Sequence, residues 1–325
     1  MYLMPVRRAL SDYLTRRCIV LCLSCKYPTQ QPGPRCAFCK ALLVGVKLLQ
    51  GRFEVTDAIG GGGFSYVYEA WDHKRNCKWA LREVRGDIDQ AMAQYGKHNF
   101  MREFKALKLC RAHPNIVTLF GMFTEMIAGD PDPTDVLILE RLDGRPVRDV
   151  MLGPAGIAPL PDSYAYKITL DLLSALGCVH ANGLVHRDVS WGNVFVDKGG
   201  RIVLIDFGGT APTSATLHTS IVTMGFVAPE ADPHNNIDAE IGPATDLFGA
   251  TKLLYFMLTG DNPAHQQGPL DPAQLRSRFD RPLANLLAKG THNQPKKRFG
   301  SAAKMAEELS KIAAAPIAVG AGGVR

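Results

Sequence analysis

The sequence predicts an α+β fold: a small antiparallel sheet lobe, then a larger and mainly helical lobe, with a short cysteine-bearing segment in front. Three observations carry that expectation. Between residues 52 and 142, strand-like runs at 53–59, 68–71, 79–84 and 136–139 are separated by turn-forming stretches. Residues 143–312 read instead as mainly helical. Charge also divides the chain near Gly51, because residues 1–52 hold nine Lys/Arg against one acid, Asp12, while the whole chain is only +6. A length of 325 residues suggests about two domains. With 46% hydrophobic and 21% charged residues, the composition is globular and can bury a sizeable core. The 31 glycines and 21 prolines are scattered and no heptad persists, which excludes collagen-like and coiled-coil architectures. The most apolar stretches, 18–23 and 253–258, fall far short of the ~20 residues a transmembrane segment needs. No long apolar run precedes a cleavage site, so a cytoplasmic protein is expected.

Residues 1–17 form a basic leader with the pattern of a short amphipathic helix, a surface that suits either solvent or an acidic partner. Residues 18–50 hold four of the eight cysteines in two identical spacings, Cys22-x-x-Cys25 and Cys36-x-x-Cys39, each followed by a lysine. Two such knuckles supply the four soft ligands that tetrahedral zinc prefers, and the intervening stretch 27–35 is built from turn formers. A segment this small and polar is expected to draw its folding energy from the metal. Four thiolates would close the coordination sphere, making the zinc structural. Two disulfides or a redox Cys-x-x-Cys are the alternatives, but the first wants a secreted chain and the second a βαβ context. Cys18 is an alternative ligand. Cys77, Cys110 and Cys178 stand alone in apolar surroundings and read as structural.

The run 53–59 alternates like a strand and meets Gly60-Gly61-Gly62-Gly63-Phe64-Ser65-Tyr66-Val67, after which another strand-like run begins. Glycines in such a hairpin let backbone N–H groups approach phosphates without Cβ clashes. A strand–turn–strand order argues against a dinucleotide fold, whose glycines open a helix. Residues 100–107 are predicted helical and carry Glu103, and the Pro-rich stretch 129–133 reads as a turn between strands. In the second half, His186-Arg187-Asp188-Val189-Ser190-Trp191-Gly192-Asn193 is followed by Asp206-Phe207-Gly208, at the end of an apolar strand, and by Ala228-Pro229-Glu230.

In that order and spacing, residues 52–312 resemble the eukaryotic-like Ser/Thr protein kinase family, and the paired cysteines resemble the zinc-ribbon leaders of some bacterial members. The resemblance implies a bilobal protein kinase-like fold. It also implies ATP and Mg²⁺ as cofactors, a protein substrate, and an N-lobe at 52–142 with a C-lobe at 143–312. Phosphoryl transfer needs positioning and charge neutralisation more than covalent chemistry. Asp206 is implied to chelate Mg²⁺, Asn193 to hold a second Mg²⁺, and Asp188 to orient the substrate hydroxyl and accept its proton. Glu103 would hold a strand cation against the phosphates. Ile59, Gly60, Gly61, Gly62, Gly63, Phe64, Ser65 and Val67 would cover the nucleotide, with the adenine between Val67 and Ala80 above and Phe195 below. Leu139 would be the gatekeeper, and the backbone of Glu140 and Leu142 the hinge. Leu107, Leu119, His186 and Phe207 resemble a stacked spine, Asp246 the anchor beneath the catalytic loop, and Arg298 the partner of Glu230.

Two departures bear on activity. Arg82 stands where the family has its phosphate-binding lysine, and a guanidinium still carries charge but is bulkier and forked. Ser190 replaces the lysine that usually follows the catalytic aspartate. Lys78, on the same strand face, lies roughly 13 Å away at strand rise. A nucleotide-binding pseudokinase scaffold is therefore the main alternative to a Ser/Thr kinase. A zinc-ribbon module binding a partner or nucleic acid is the third reading, and only the basic amino terminus supports nucleic acid. Thr223 sits where Ser/Thr kinases place a hydroxyl against the catalytic Asp, and the loop containing Thr210, Thr213, Ser214, Thr216, Thr219 and Ser220 offers phosphorylation sites near Arg187. The tail 313–325 is Ala/Gly-rich and expected to fray.

Overall fold

The computed structural model describes residues 19–30, 33–213, 223–232 and 241–315. The leader, Cys18, most of the tail and the hydroxyls of Ser214, Thr216, Thr219 and Ser220 lie outside the described residues. The chain divides into two compact units, Met1–Phe104 with Thr118–Leu142, and Lys105–Val117 with Asp143–Arg325.

The first unit is built on a six-stranded antiparallel sheet. Its strands are β3 (Lys47–Leu48), β4 (Phe53–Gly61), β5 (Ser65–Asp72), β6 (Cys77–Val84), β7 (Leu119–Glu125) and β8 (Thr134–Glu140), in the order β3-β4-β5-β6-β8-β7. The register decides which residues share a face, because successive side chains point to opposite sides. Val67 pairs with Arg82 and Arg82 with Leu137; Glu69 pairs with Ala80 and Ala80 with Leu139. Val67, Arg82, Ala80 and Leu139 therefore lie on one face. Tyr66, Tyr68, Glu83, Leu81, Val136 and Ile138 lie on the other. That second face is covered by the cysteine segment, which adds a small hairpin of β1 (Ile19–Leu21) and β2 (Pro28–Gln30). Cys22, Cys36, Ala41, Leu42 and Leu43 share one buried core with Phe53, Val55, Tyr68, Leu81 and Ile138. The segment has no separate core; its apolar residues share the core of the sheet, a contact the sequence did not indicate.

Helix α1 (Gln90–Leu109) is 20 residues long and starts well before the predicted 100–107. Its first half lacks an apolar stripe, so periodicity missed it. That half packs on the tip of the glycine hairpin and the end of β6: Phe64 meets Tyr95 edge-on at 5.1 Å, and a Cβ on Gly96 would lie 3.0 Å from Val84 Cγ1.

The second unit is organised around α3 (Asp162–Ala181) and α4 (Pro243–Thr259), preceded by the short strand β9 (Gly144–Pro146), helix α2 (Val147–Met151) and the ribbon β10 (Leu152–Gly153)–β11 (Gly156–Ile157). Helix α4 is buried from Thr245 through Met257, and its buried Asp246 and Lys252 are both hydrogen-bonded. Between α3 and α4 the chain forms β12 (Leu184–Val185), β13 (Val194–Asp197), β14 (Ile202–Leu204) and β15 (Ala211–Pro212). Strands β14-β13-β9 make one sheet, and β12 pairs with β15. Helices α5 (Pro272–Arg278), α6 (Arg281–Gly290) and α7 (Ala302–Ala314) complete the unit, each starting on a side-chain cap from Asp271, Asp280 or Ser301. Among the described residues, no helix is long and apolar enough to cross a membrane.

Candidate catalytic and metal-binding sites

Sequence dictates the glycine hairpin directly. Strand β4 continues through Gly60 and Gly61, which pair with Val67 and Tyr66, and Gly62 N donates to Ser65 O at 3.0 Å to close the turn. A Cβ on Gly61 would sit 3.0 Å from Ser65 O, so a side chain there would crowd the turn, whereas Gly62 and Gly63 open onto free space. Two bulges, between Val55 and Asp57 and between Ala58 and Gly60, bend the strand ahead of the turn.

On the face carrying Val67, Ala80 and Leu139, Arg82 Nη1 donates to Glu103 Oε1 at 2.8 Å. Both are sequestered, with Glu103 side-chain exposure at 1% and Arg82 at 15%. The arginine therefore forms the ion pair that the sequence assigned to it. Lys78 cannot substitute, because its Nζ is held by Glu69 Oε1 at 2.6 Å. Glu69 Oε2 also accepts from Arg141 Nε at 2.8 Å, and these cations hold the Glu69 carboxyl below the usual carboxylate range against its burial. Glu140 ends β8, opposite Trp79, and Leu142 closes the unit.

In the second unit the residues of the candidate catalytic loop converge. Asp188 Oδ2 accepts from Asn193 Nδ2 at 2.7 Å, and Asp188 Oδ1 accepts from Thr223 Oγ1 at 2.9 Å. Burial raises the Asp188 carboxyl above its ordinary range, and the charge of Asp206 adds to the rise. The loop backbone is strained at Arg187, with φ 70°, and Asp206, after β14, stands at φ 58°. What holds it is Asp246 on α4: its two oxygens accept from His186 N and Arg187 N, each at 2.8 Å, and Oδ2 also bonds His180 Nε2 at 2.8 Å. Helix α4 can come this close because residue 249 is glycine; a Cβ there would lie 2.8 Å from Val189 O. Phe207, fully buried, meets His186 edge to face at 4.9 Å. Of the other stack residues, Leu107 is buried in this unit and Leu119 in the first. Phe195 lies on β13 opposite Pro146 and Val203. Ser190 is buried, and Gly208 N donates to Asp206 Oδ1 at 3.2 Å. Arg298 and Glu230 form a fork of two bonds, 2.6 and 2.7 Å, with neither side chain exposed.

The sulfur atoms of Cys22, Cys25, Cys36 and Cys39 lie within 4.8 Å of one another, with Cys22–Cys39 at 3.6 Å and Cys25–Cys36 at 3.8 Å. These separations fit four thiolates around one tetrahedral ion of zinc size. Lys26 and Lys40, one residue after each knuckle, both have positive φ, near 60°. Burial pushes the Cys22 thiol up to about 12, so a cation is what would hold it as a thiolate.

Sequence reasoning missed the attachment of this cluster. Arg35 makes a two-bond fork to Glu83, both at 2.9 Å, and its Nε reaches Asp130 at 2.7 Å. The partners lie 48 and 95 residues away, beyond any local pattern; only the position of Arg35 beside Cys36 was a hint. Lys252, fully buried in α4 and donating to Gln266 O and Gly268 O at 2.9 and 3.0 Å, was likewise not foreseen.

A family model of the protein kinase domain matches residues 53–310. The chain belongs to the protein kinase domain family. Serine/threonine-protein kinase PksC of Streptomyces coelicolor is 30% identical over 291 residues, covering 83% of this chain and 50% of that protein. Serine/threonine-protein kinase PknB of Mycobacterium leprae is 27% identical over 281 residues, covering 81% and 43%. The chain thus spans about half the length of the curated relatives it matches. Among solved structures, the kinase domain of Mycobacterium tuberculosis PknI superposes with a TM-score of 0.61 at 24% identity, over 83% of this chain and 99% of that one. That likeness supports the bilobal kinase fold.

Proposed function

We propose that the chain is an ATP-dependent protein kinase that transfers the γ-phosphoryl group to Ser/Thr hydroxyls of protein substrates. Family membership implies ATP with Mg²⁺. The observation that carries the reading is the Arg82–Glu103 pair: the residue that departs from the family's lysine still finds the buried glutamate. Arg82 then places positive charge on the α/β-phosphates, Asp206 and Asn193 hold Mg²⁺, and Asp188 orients the hydroxyl and takes its proton. Thr223, hydrogen-bonded to Asp188, supports a Ser/Thr rather than a tyrosine acceptor. The glycine hairpin from Ile59 to Val67, with Ala80, Leu139, Glu140, Leu142 and Phe195, forms the nucleotide-binding set. A radiolabelled ATP transfer assay, wild type beside Asp206→Ala, tests this. Transfer by wild type and none by the variant is expected; equal transfer by both overturns the assignment.

In the same reading Cys22, Cys25, Cys36 and Cys39 hold one structural zinc, supported by their mutual distances and by all four cysteines being free. Elemental analysis should give about one zinc per chain. Zinc retained after Cys22→Ser with Cys25→Ser would defeat the proposal.

A further inference from the structure

The cysteine ribbon does more than sit beside the sheet. Three polar links join it to the face opposite Arg82. Arg35, next to Cys36, forks onto Glu83 at 2.9 Å twice, and donates to Asp130 at 2.7 Å and to Lys40 O at 2.8 Å. Tyr68 OH donates to Glu83 at 2.6 Å and accepts from Leu42 N at 2.9 Å. Tyr66 OH donates to Cys39 O at 2.6 Å. Glu83 is fully buried, so Arg35 supplies the positive charge that lets its carboxylate stay there. Glu83 follows Arg82 in strand β6, and their side chains point to opposite faces. Movement of Glu83 toward water would therefore carry the Arg82 backbone with it. A buried carboxylate stripped of its partner costs too much to remain in place.

We infer that Arg35 is a positioning residue for the nucleotide site: the metal-closed knuckle at Cys36 and Cys39 aims it at Glu83, and Glu83 fixes Arg82. The inference rests on the readings of Arg82 as a phosphate contact and of the four cysteines as a zinc site. Its consequence is a linkage between zinc and Mg·ATP. Whatever loosens the knuckle loosens Arg35, then β6, then the phosphate contact. By reciprocity, bound Mg·ATP tightens zinc by the same factor.

The test uses the full chain in reducing buffer, loaded with zinc or stripped by a zinc-selective chelator. Calorimetry gives the Kd for Mg·ATP, and chelator competition gives the zinc affinity with and without Mg·ATP. Stripping should weaken Mg·ATP binding about tenfold, and saturating Mg·ATP should tighten zinc about tenfold. In the double variant Arg35→Met with Glu83→Gln, which removes the fully buried charge together with its partner at similar volume and leaves only Asp130, at 15% side-chain exposure, to turn to water, zinc should still bind and the chain should stay folded. The zinc–nucleotide linkage should vanish in that variant, an outcome that a purely structural role for Arg35 does not produce. Undiminished linkage in the double variant overturns the inference. So does equal Mg·ATP affinity of loaded and stripped wild type with unchanged circular dichroism. Should stripping unfold the chain, zinc-loaded Arg35→Lys decides: severalfold weaker Mg·ATP binding at one zinc per chain supports the inference, and wild-type affinity overturns it. Failure of loaded wild type to bind Mg·ATP at all instead brings down the nucleotide reading on which the inference rests.

Discussion

Asp246→Asn is a sharp perturbation of the catalytic loop, because it changes one atom and leaves the volume unchanged. In the native loop each carboxylate oxygen accepts a backbone N–H, from Arg187 and from His186, both at 2.8 Å and both charge-assisted. An asparagine amide has one oxygen. In either orientation its NH₂ must face one of those two N–H groups, donor against donor. His180 is no obstacle, since its ring can change tautomer to donate or accept. One charge-assisted bond, about 1.5–3 kcal/mol, is therefore lost, and the surviving one becomes neutral, giving up about 1 kcal/mol more. The sum is about 3 kcal/mol. With a urea slope near 3 kcal/mol/M, the unfolding midpoint should fall by about 1 M. Phosphoryl transfer should fall further than stability implies under folded conditions, because Arg187 is held at φ 70° and its relaxation moves Asp188, one residue on. Urea titration followed by circular dichroism, with the transfer assay run well below the transition, measures both. A variant within about 0.5 kcal/mol of wild type, with unchanged transfer, would refute the argument that Asp246 maintains this loop.

Other outcomes are expected. Arg82→Ala should lower transfer about 10²–10³-fold, Arg82→Lys should preserve or raise it, and Glu103→Gln should weaken it; no transfer by wild type and by Arg82→Lys, with nucleotide still bound, would favour the pseudokinase instead. Glu230→Gln leaves the Arg298 guanidinium buried without its counter-charge and should lower unfolding stability by about 3–5 kcal/mol, so a urea midpoint matching wild type would contradict the pair's importance. Because Asp188 must be ionised to accept a proton and burial raises its carboxyl, kcat/KM should fall on acidification with a midpoint above the ordinary aspartate range. Thr223→Val removes a hydrogen bond that favours the ionised form, so it should move that midpoint higher; a shift downward would contradict the contact.

Much of this was readable in the sequence, and the reason is chemical. The residues to which the family resemblance assigns phosphoryl transfer sit in short local runs, so His186–Arg187–Asp188, Asn193 and Asp206–Phe207–Gly208 announced themselves before any tertiary contact was known. Glu103 was legible from its predicted helix, and Arg82 from its place in the run 79–84, where the resembled family has a lysine. Long-range polar contacts were not legible. Nothing local to Arg35 indicates Glu83 or Asp130, and the apolar residues Ala41, Leu42 and Leu43 read as a connector until the sheet face they cover is known. The first half of α1 failed for a related reason: its partner is the tip of the glycine hairpin, at Phe64, and no stripe in its own sequence records that contact.

Two consecutive residues of β6 enter buried ion pairs on opposite faces, Arg82 with Glu103 and Glu83 with Arg35. Buried pairs are weak devices for stability, since well-packed apolar residues of the same volume often do as well. They are strong devices for placement, because a lone buried charge is costly and each partner must keep its geometry. A strand gripped this way from both sides cannot slip register by one residue without exchanging which charge faces which partner. That constraint explains how an arginine can occupy the lysine position. Its fork is longer and bulkier, yet Glu103 fixes one end while Glu83, clamped by Arg35, fixes the backbone beneath it. The basic ribbon segment, the buried Glu83 and the substituted Arg82 are then parts of one arrangement whose product is the position of a single positive charge.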